Sequence, residues 1–272
     1  KRRGGESTAG KIKCPAKINL TLKVINKRED GFHNIESIMQ TINLFDYLTI
    51  SMEDAGNNEI LLSGNCKEIP YDERNLVYKA AKLYLDTNNI HNKKFSVYID
   101  KNIPVSAGLA GGSTNAAGML YGMNKLLGGL MSVEELHKLC AKLGSDLNFC
   151  LTGGCMMTKG RGEILEPSDF VERTVNLIKP LNLGISAKEA YTKFSQKNSQ
   201  HHQGREDYVN DLEWAVIDDY RELQYIKTSY PASVMTGSGS TYYSFNEEFA
   251  NHDEYWVCNG LKTISFGICE VL

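Results

Sequence analysis

The segment Pro104-Val105-Ser106-Ala107-Gly108-Leu109-Ala110-Gly111-Gly112-Ser113-Thr114 constrains this chain more than any other. Ahead of it Phe95, Val97 and Ile99 alternate with Ser96 and Tyr98, the period of a strand. Behind it Ala116, Leu120, Met123, Leu127 and Leu130 recur at helical spacing, which predicts a helix starting at Ser113 or Thr114. Glycines between a strand and a helix let the backbone approach a ligand and expose N–H groups, and the helix adds the positive end of its dipole. Such a loop suits a phosphate. It is not a Walker A loop, since no Gly-Lys-Ser/Thr closes it, nor is it GxGxxG. By glycine content alone it would be an ordinary turn; the flanking elements, with Ser113 and Thr114 at the cap, favour the phosphate.

The flanks repeat the mixture of elements. Ile18, Leu20, Leu22 and Val24 alternate with Asn19, Thr21 and Lys23, predicting one half-buried strand over 12–25 with Lys17 and Asn19 on its polar face. Arg28-Glu29-Asp30-Gly31 follows as a turn. Further strands are predicted over 47–52, 59–63, 95–99, 155–159, 175–179, 232–235 and 241–245, and 263–270 closes the chain. Helices are predicted over 75–87, 132–143, 187–194 and 208–226. The second of these opens on the capping box of Ser132 and Glu135 and stops at Gly144. The polar run 195–206 reads as an exposed loop, and no internal repeat occurs. Runs of strand and helix joined by short hairpins predict an α+β chain of two lobes, 11–165 and 166–272.

Charge and cysteine usage exclude several classes. Lys+Arg number 30 against 33 Asp+Glu, a net charge of −3, which argues against a nucleic-acid coat while leaving room for a local basic pocket. The 7 cysteines contain no CxxC pair, so neither a disulfide framework nor a zinc knuckle is expected. Cys140, between Leu139 and Ala141, is a small buried hydrophobe. Reduced thiols imply a reducing compartment. The basic start, residues 1–10, has no apolar run behind it and reads as a frayed tail rather than a signal peptide. The uncharged stretch 102–124 is broken by glycines and is no membrane helix. The expected location is cytoplasmic, with no membrane or nucleic-acid partner.

Three more segments carry reactive side chains. Asp146, in Leu143-Gly144-Ser145-Asp146-Leu147-Asn148-Phe149-Cys150, reads on its own as an N-cap. Lys17, in Pro15-Ala16-Lys17-Ile18-Asn19-Leu20, reads on its own as a strand lysine facing solvent. Val234-Met235-Thr236-Gly237-Ser238-Gly239-Ser240-Thr241 reads on its own as a hairpin turn.

Together, and in this order, the four segments resemble the GHMP small-molecule kinases. Arg28-x-Asp30-Gly31-Phe32-His33 and Ile35-Glu36-Ser37-Ile38-Met39-Gln40 narrow the resemblance to a branch that acts on a cytidine-diphosphate-linked methylerythritol in non-mevalonate isoprenoid synthesis. Asn75-Leu76-Val77, Gly160-Arg161-Gly162-Glu163 and Asn210-Asp211-Leu212-Glu213 fit the same branch, and the likeness runs over 11–272. It implies a ribosomal-protein-like α+β N-terminal lobe, a ferredoxin-like C-terminal lobe and a cleft between them.

The resemblance also implies a reaction: the γ-phosphate of ATP passes to the substrate's tertiary 2-hydroxyl. Loop 104–114 would hold ATP, with Mg²⁺ near Ser113 and no dedicated metal site on the protein. Asp146 would accept the hydroxyl proton, Lys17 would offset charge beside it, and Asn19 would donate a hydrogen bond to the substrate. Phe32 would offer a π-face to the cytosine, His33 would hydrogen-bond its edge, and Tyr191 would cover the ring's other side. The chain departs from the family at Asn115, where Asp is usual, and at Asn148, where Pro is usual. The alternatives are another GHMP activity, on homoserine or mevalonate, or a non-catalytic nucleotide- or RNA-binding module. Retained Lys17 and Asp146 argue against an inactive module, and the net charge against RNA.

Overall fold

Two sheets organise the chain in the computed structural model, which describes residues 8–200 and 203–272. The first half runs β1 (Thr8–Asn19), β2 (Lys23–Lys27), β3 (His33–Asp54), β4 (Glu59–Gly64), α1 (Leu76–Thr87) and β5 (Lys93–Asp100). It continues through α2 (Gly111–Leu126), α3 (Val133–Leu143), α4 (Leu147–Thr152), β6 (Cys155–Lys159) and β7 (Ile164–Pro167). The second half is β8 (Thr174–Pro180), α5 (Ala187–Gln200), α6 (Asp211–Val216), α7 (Arg221–Ser229), β9 (Val234–Met235), β10 (Tyr242–Ser244), β11 (Tyr255–Lys262) and β12 (Cys269–Glu270).

The larger sheet has the order β12-β1-β3-β5-β4, with β2 and β6 paired to the first part of β3 and β7 paired to β6. Within it β4 and β5 are parallel and the other pairs antiparallel. The smaller sheet, β11-β8-β10-β9, is antiparallel. On the larger sheet, Ile12, Leu48 and Ile50 are buried with Ala80 of α1 and Ala116 and Leu120 of α2. On the smaller one, Ile178 and Tyr242 are buried with Phe194, Leu212 and Ile226. A third cluster joins the two sheets: Ile18, Ile42 and Leu109 pack with Val175, Leu177 and Tyr243. Burial of one such side chain stabilises by roughly 1.5–3 kcal/mol, and Leu109 in this way fastens the glycine loop to the second lobe.

Several elements differ from expectation. The alternating run 12–25 is two strands, because the chain leaves the sheet at 20–22 before re-entering as β2. Strand β3 begins at His33 instead of residue 47; its first part pairs edge to edge with β2 and β6, and polar Ser37, Gln40 and Thr41 are buried there, so burial does not follow an apolar alternation in the sequence. Helix α5 continues through the polar residues 195–200 expected as loop. The stretch 208–226 is two helices: Asn210 caps the start of α6, accepting from the Leu212 amide, and a tighter turn over Ile217–Asp219 separates α6 from α7. Strand β11 carries no sequence signal that was read, and of 263–270 only β12 is a strand. Of the basic start, residues 1–7 lie outside the described residues, and 8–10 are already paired in β1. The capping box at Ser132 and Glu135 forms as expected. All seven cysteines are free thiols. Among the described residues no helix is long and apolar enough to cross a membrane.

Candidate active site

The glycine loop enters α2 earlier than its hydroxyl pair suggested. Ala110 occupies the N-cap in a left-handed conformation (φ 59°), so the helix starts at Gly111. Thr114 is the first residue whose amide bonds back into the helix, to the Ala110 carbonyl at 2.9 Å. The amides of Gly111, Gly112 and Ser113 are therefore orphan donors at a helix N-terminus. Gly111, Gly112 and Ser113 line a cleft of about 1200 Å³, as do Pro104, Val105, Ser106, Ala107, Gly108 and Ala110. Leu109 and Thr114 do not; Leu109 is core and Thr114 is fully buried.

The loop is held from behind by the second lobe. The Thr241 amide donates to the Ala107 carbonyl at 3.2 Å, and the Thr236 hydroxyl to the Gly108 carbonyl at 3.2 Å. Gly108 has φ +76°, and a side chain there would strike the Thr236 carbonyl, so only glycine fits. The Thr236-Gly237 turn thus lies against the phosphate loop instead of forming a separate hairpin tip.

Lys17 and Asp146 both line the cleft. A register shift between Pro15 and Lys17 in the β1–β3 pairing turns the lysine inward, and it is only 3% exposed, contrary to a solvent-facing strand lysine. Its ammonium donates to Asn19 Oδ1 at 2.6 Å and to the Gly108 carbonyl at 2.9 Å. Burial holds it below the usual lysine range, with the charge of Asp146 pulling the other way. Asp146 precedes α4, yet its side chain makes no capping bond. The carboxylate is free to act on a ligand.

Asn19 lines the cleft, and its side chain is also tied into the protein. Its oxygen accepts from Lys17 and from the Thr236 hydroxyl (3.2 Å), and its amide donates to Ser37 Oγ at 2.8 Å. These bonds make it a support for Lys17. Neither Ser37 nor Thr236 was picked out as a site residue, because their hydroxyls gain meaning only through these long-range partners.

Part of the cleft lining is aromatic. Arg28 and Asp30 form an ion pair at 3.1 Å, and Asp30 Oδ1 accepts from the Phe32 amide at 3.0 Å, shaping the turn that presents Phe32 and His33. Phe32 is 48% exposed, unusual for a phenylalanine, and the Arg161 guanidinium lies 4.7 Å from its ring centre. His33 stacks directly on Tyr191, 5.0 Å between centroids and 19° between planes. Tyr191 thus packs on His33, and both rings line the same cleft as Phe32. His33 Nε2 lies 3.0 Å from Ser195 Oγ on α5, and burial lowers the pKa of the imidazole. Burial also raises the Tyr191 phenol, with a further push from Asp146. Beyond the phosphate loop the cleft is lined by Ile69, Pro70, Asn75 and Leu76, which sequence reasoning had not placed in the site.

Both departures from the family pattern have local reasons. Asn115 donates to Asp46 Oδ2 at 2.9 Å and accepts from Lys101 at 3.1 Å, beside the buried Lys101–Asp46 ion pair. An aspartate at 115 would set a second carboxylate against Asp46 with one lysine to neutralise both, a costly buried arrangement. Asn148 donates to the His137 carbonyl at 2.9 Å, tying α4 to α3.

The chain matches the family described as GHMP kinases N terminal domain over residues 75–156. It is 39% identical over 259 residues to a 4-diphosphocytidyl-2-C-methyl-D-erythritol kinase of Clostridium perfringens (strain SM101 / Type A), covering 88% of this chain and 89% of that protein. A protein of the same name from Clostridium acetobutylicum is 36% identical over 267 residues, 90% of this chain and 94% of the other. A solved crystal structure of 4-(cytidine 5'-diphospho)-2C-methyl-D-erythritol kinase superposes with a TM-score of 0.72 at 25% identity, covering 96% of this chain and 100% of that one. Homoserine kinase from Cytophaga hutchinsonii shares the fold, with a TM-score of 0.68 at 16% identity over 97% of each chain.

Proposed function

This chain belongs to the 4-diphosphocytidyl-2-C-methyl-D-erythritol kinases, within the GHMP kinases, and on that premise we propose that it moves the γ-phosphate of ATP to the 2-hydroxyl of the cytidine-linked methylerythritol. The observation that carries this reading is one continuous cleft lined by the orphan amides of 111–113, by Phe32, His33 and Tyr191, and by Lys17 and Asp146. The lobes that close it are 11–165 and 166–272, save that β7 runs on to Pro167 and β12 (Cys269–Glu270) returns to the larger sheet.

Phosphoryl transfer asks for alignment and charge stabilisation rather than covalent chemistry. The triphosphate lies on Gly111, Gly112 and Ser113, where three free amides and the α2 dipole meet it. Ile69, Pro70 and Leu76 offer an apolar surface for the adenine. Mg²⁺ accompanies the nucleotide as a hard cation, and the Ser113 hydroxyl and Asp146 carboxylate are oxygen donors of the kind it takes. Asp146 accepts the proton of the 2-hydroxyl as that oxygen bonds to the γ-phosphorus; the bond to the bridging oxygen breaks and its electron pair leaves on ADP. Lys17 stabilises the negative charge on the transferring group. Phe32 stacks on the cytosine, and the backbone or ring of His33 reads its edge.

The testing experiment is ADP release from ATP with the cytidine-linked substrate, with mevalonate and homoserine as rivals. Turnover of the cytidine-linked alcohol alone is expected; preference for either rival overturns the assignment. Phe32→Ala should raise KM for the cytidine substrate by about 5- to 150-fold, the worth of one stacked base, with KM for ATP unchanged. Equal movement of both constants would place the cytosine elsewhere. Gly112 has open space around its Cβ position and no left-handed φ, so Gly112→Val leaves the fold intact. The new side chain then stands where phosphate must sit, and KM for ATP should rise at least about tenfold, a loss near 1.4 kcal/mol. Unaltered ATP binding, with native circular dichroism, would return the loop to an ordinary turn.

A further inference from the structure

The segment Asn210-Asp211-Leu212-Glu213 lies outside the transfer chemistry, yet Asn210, Asp211 and Glu213 are fully buried. One side of it grips the turn behind the phosphate loop. The Asn210 amide donates to the Met235 and Gly237 carbonyls, 2.8 Å each, and Glu213 Oε1 accepts from the Met235 amide at 3.2 Å. Gly237 is so close to Lys17 that a Cβ there would stand 3.1 Å from the ammonium.

The other side grips the hairpin that carries the aromatic pocket. Strand β2 pairs with β3 along one edge only, through Lys23↔Glu36 to Lys27↔His33. Its free edge is met by this segment. The Asp211 amide donates to the Leu22 carbonyl at 2.9 Å, and Asp211 Oδ2 accepts from the Val24 amide at 2.7 Å. Arg205 completes the junction, donating to the same carboxylate oxygen at 2.6 Å and to the Val24 carbonyl at 2.7 Å. A buried carboxylate between a backbone amide and a guanidinium is held by charge-assisted bonds, about twice as strong as neutral ones.

Resting on the function proposed above, we propose that residues 210–213 are a two-sided clamp that positions the cytidine-reading hairpin through Asp211 and the Gly237 turn against Lys17 through Asn210. Neither residue is catalytic; each acts through the element it holds. The two sides address different steps, so their loss separates kinetically. Asp211 acts on where Phe32 and His33 stand, and Asn210 on where Lys17 stands.

The test compares Asp211→Asn with Asn210→Ala. Asp211→Asn keeps an acceptor for Val24 but loses the charged bond to Arg205. It should raise KM for the cytidine substrate about tenfold, while kcat and KM for ATP stay within about twofold. Asn210→Ala frees the Gly237 turn and should lower kcat about tenfold with KM for the cytidine substrate unchanged. Hydrogen exchange on the substrate-free protein gives a second readout: amides of 23–33 exchange faster in Asp211→Asn, those of 235–241 faster in Asn210→Ala, each with the other segment protected. If both variants shift kcat and both KM values together, or if exchange speeds up across the whole chain, the segment is mere core and the clamp is overturned. Exchange needs no substrate, so a wild-type protein inactive on the cytidine-linked alcohol would remove the function while the exchange pattern still decides the clamp.

Discussion

Asp146→Asn should lower kcat by about 10²–10⁴-fold, the usual worth of a positioned general base, with KM for ATP nearly unchanged. The substitution keeps shape and removes only the proton acceptor. A capping aspartate would behave otherwise, since loss of a cap costs about 1 kcal/mol of stability and spares the chemistry. The Asp146 side chain makes no capping bond, so the melting temperature of Asp146→Asn should stay at the wild-type value. Steady-state kinetics and a thermal melt on the same preparation check both halves. A near-native kcat with a lowered melting temperature would assign Asp146 to the helix and remove the proton acceptor from the mechanism.

Lys17→Met should lower kcat by about 10²–10³-fold, the scale seen when one preorganised donor to a developing charge is deleted. The methionine fills the volume but leaves Asn19 Oδ1 and the Gly108 carbonyl short of the ammonium they accept from. Each such loss costs about 1–3 kcal/mol, so a drop in stability accompanies the drop in rate and cannot by itself identify the role. The pH profile can. Burial has moved the lysine pKa down, and the protonated form is the one that stabilises transferring phosphate. Wild-type kcat should therefore fall on the alkaline side at a pH below the ordinary lysine range. In Lys17→Met that alkaline limb should vanish, leaving a low, flat rate. Persistence of the limb in the variant would assign it to another group and take Lys17 out of the transfer step.

Much of the site is legible in the chain because its chemistry is local. The glycine loop declares itself by a strand before it and a helix behind it. The capping box declares itself by Ser132 and Glu135 three apart; Asp146 on its own reads as a helix cap, and only the likeness to the GHMP kinases marks it as a proton acceptor. Even so, local signals misplace details that depend on backbone conformation. Ala110, an unremarkable residue in sequence, takes the left-handed cap and moves the start of α2 ahead of the hydroxyls that looked like the cap.

The remainder is set by contacts between residues far apart in the chain, which no periodicity records. Asn19 reads as a strand residue free to meet substrate, but the fold brings Thr236 from the second lobe and Ser37 from β3 onto its polar atoms. Asn115 reads as a lost charge until Asp46 and Lys101 are found beside it. Strand β3 hides half its length because polar Ser37, Gln40 and Thr41 are buried in it, and α5 runs on through a polar stretch that supplies Ser195 to His33. Sequence by itself offered the residue types able to meet phosphate, take a proton or stack on a base, and the order of motifs that marks the family, since those are properties of residue type and near neighbours. Tertiary structure alone decided which buried polar groups are already satisfied, and so which are left for a ligand. A buried donor or acceptor must find a partner wherever the fold provides one. Lys17 gives two of its three ammonium protons to Asn19 and the Gly108 carbonyl, while the Asp146 side chain makes no capping bond.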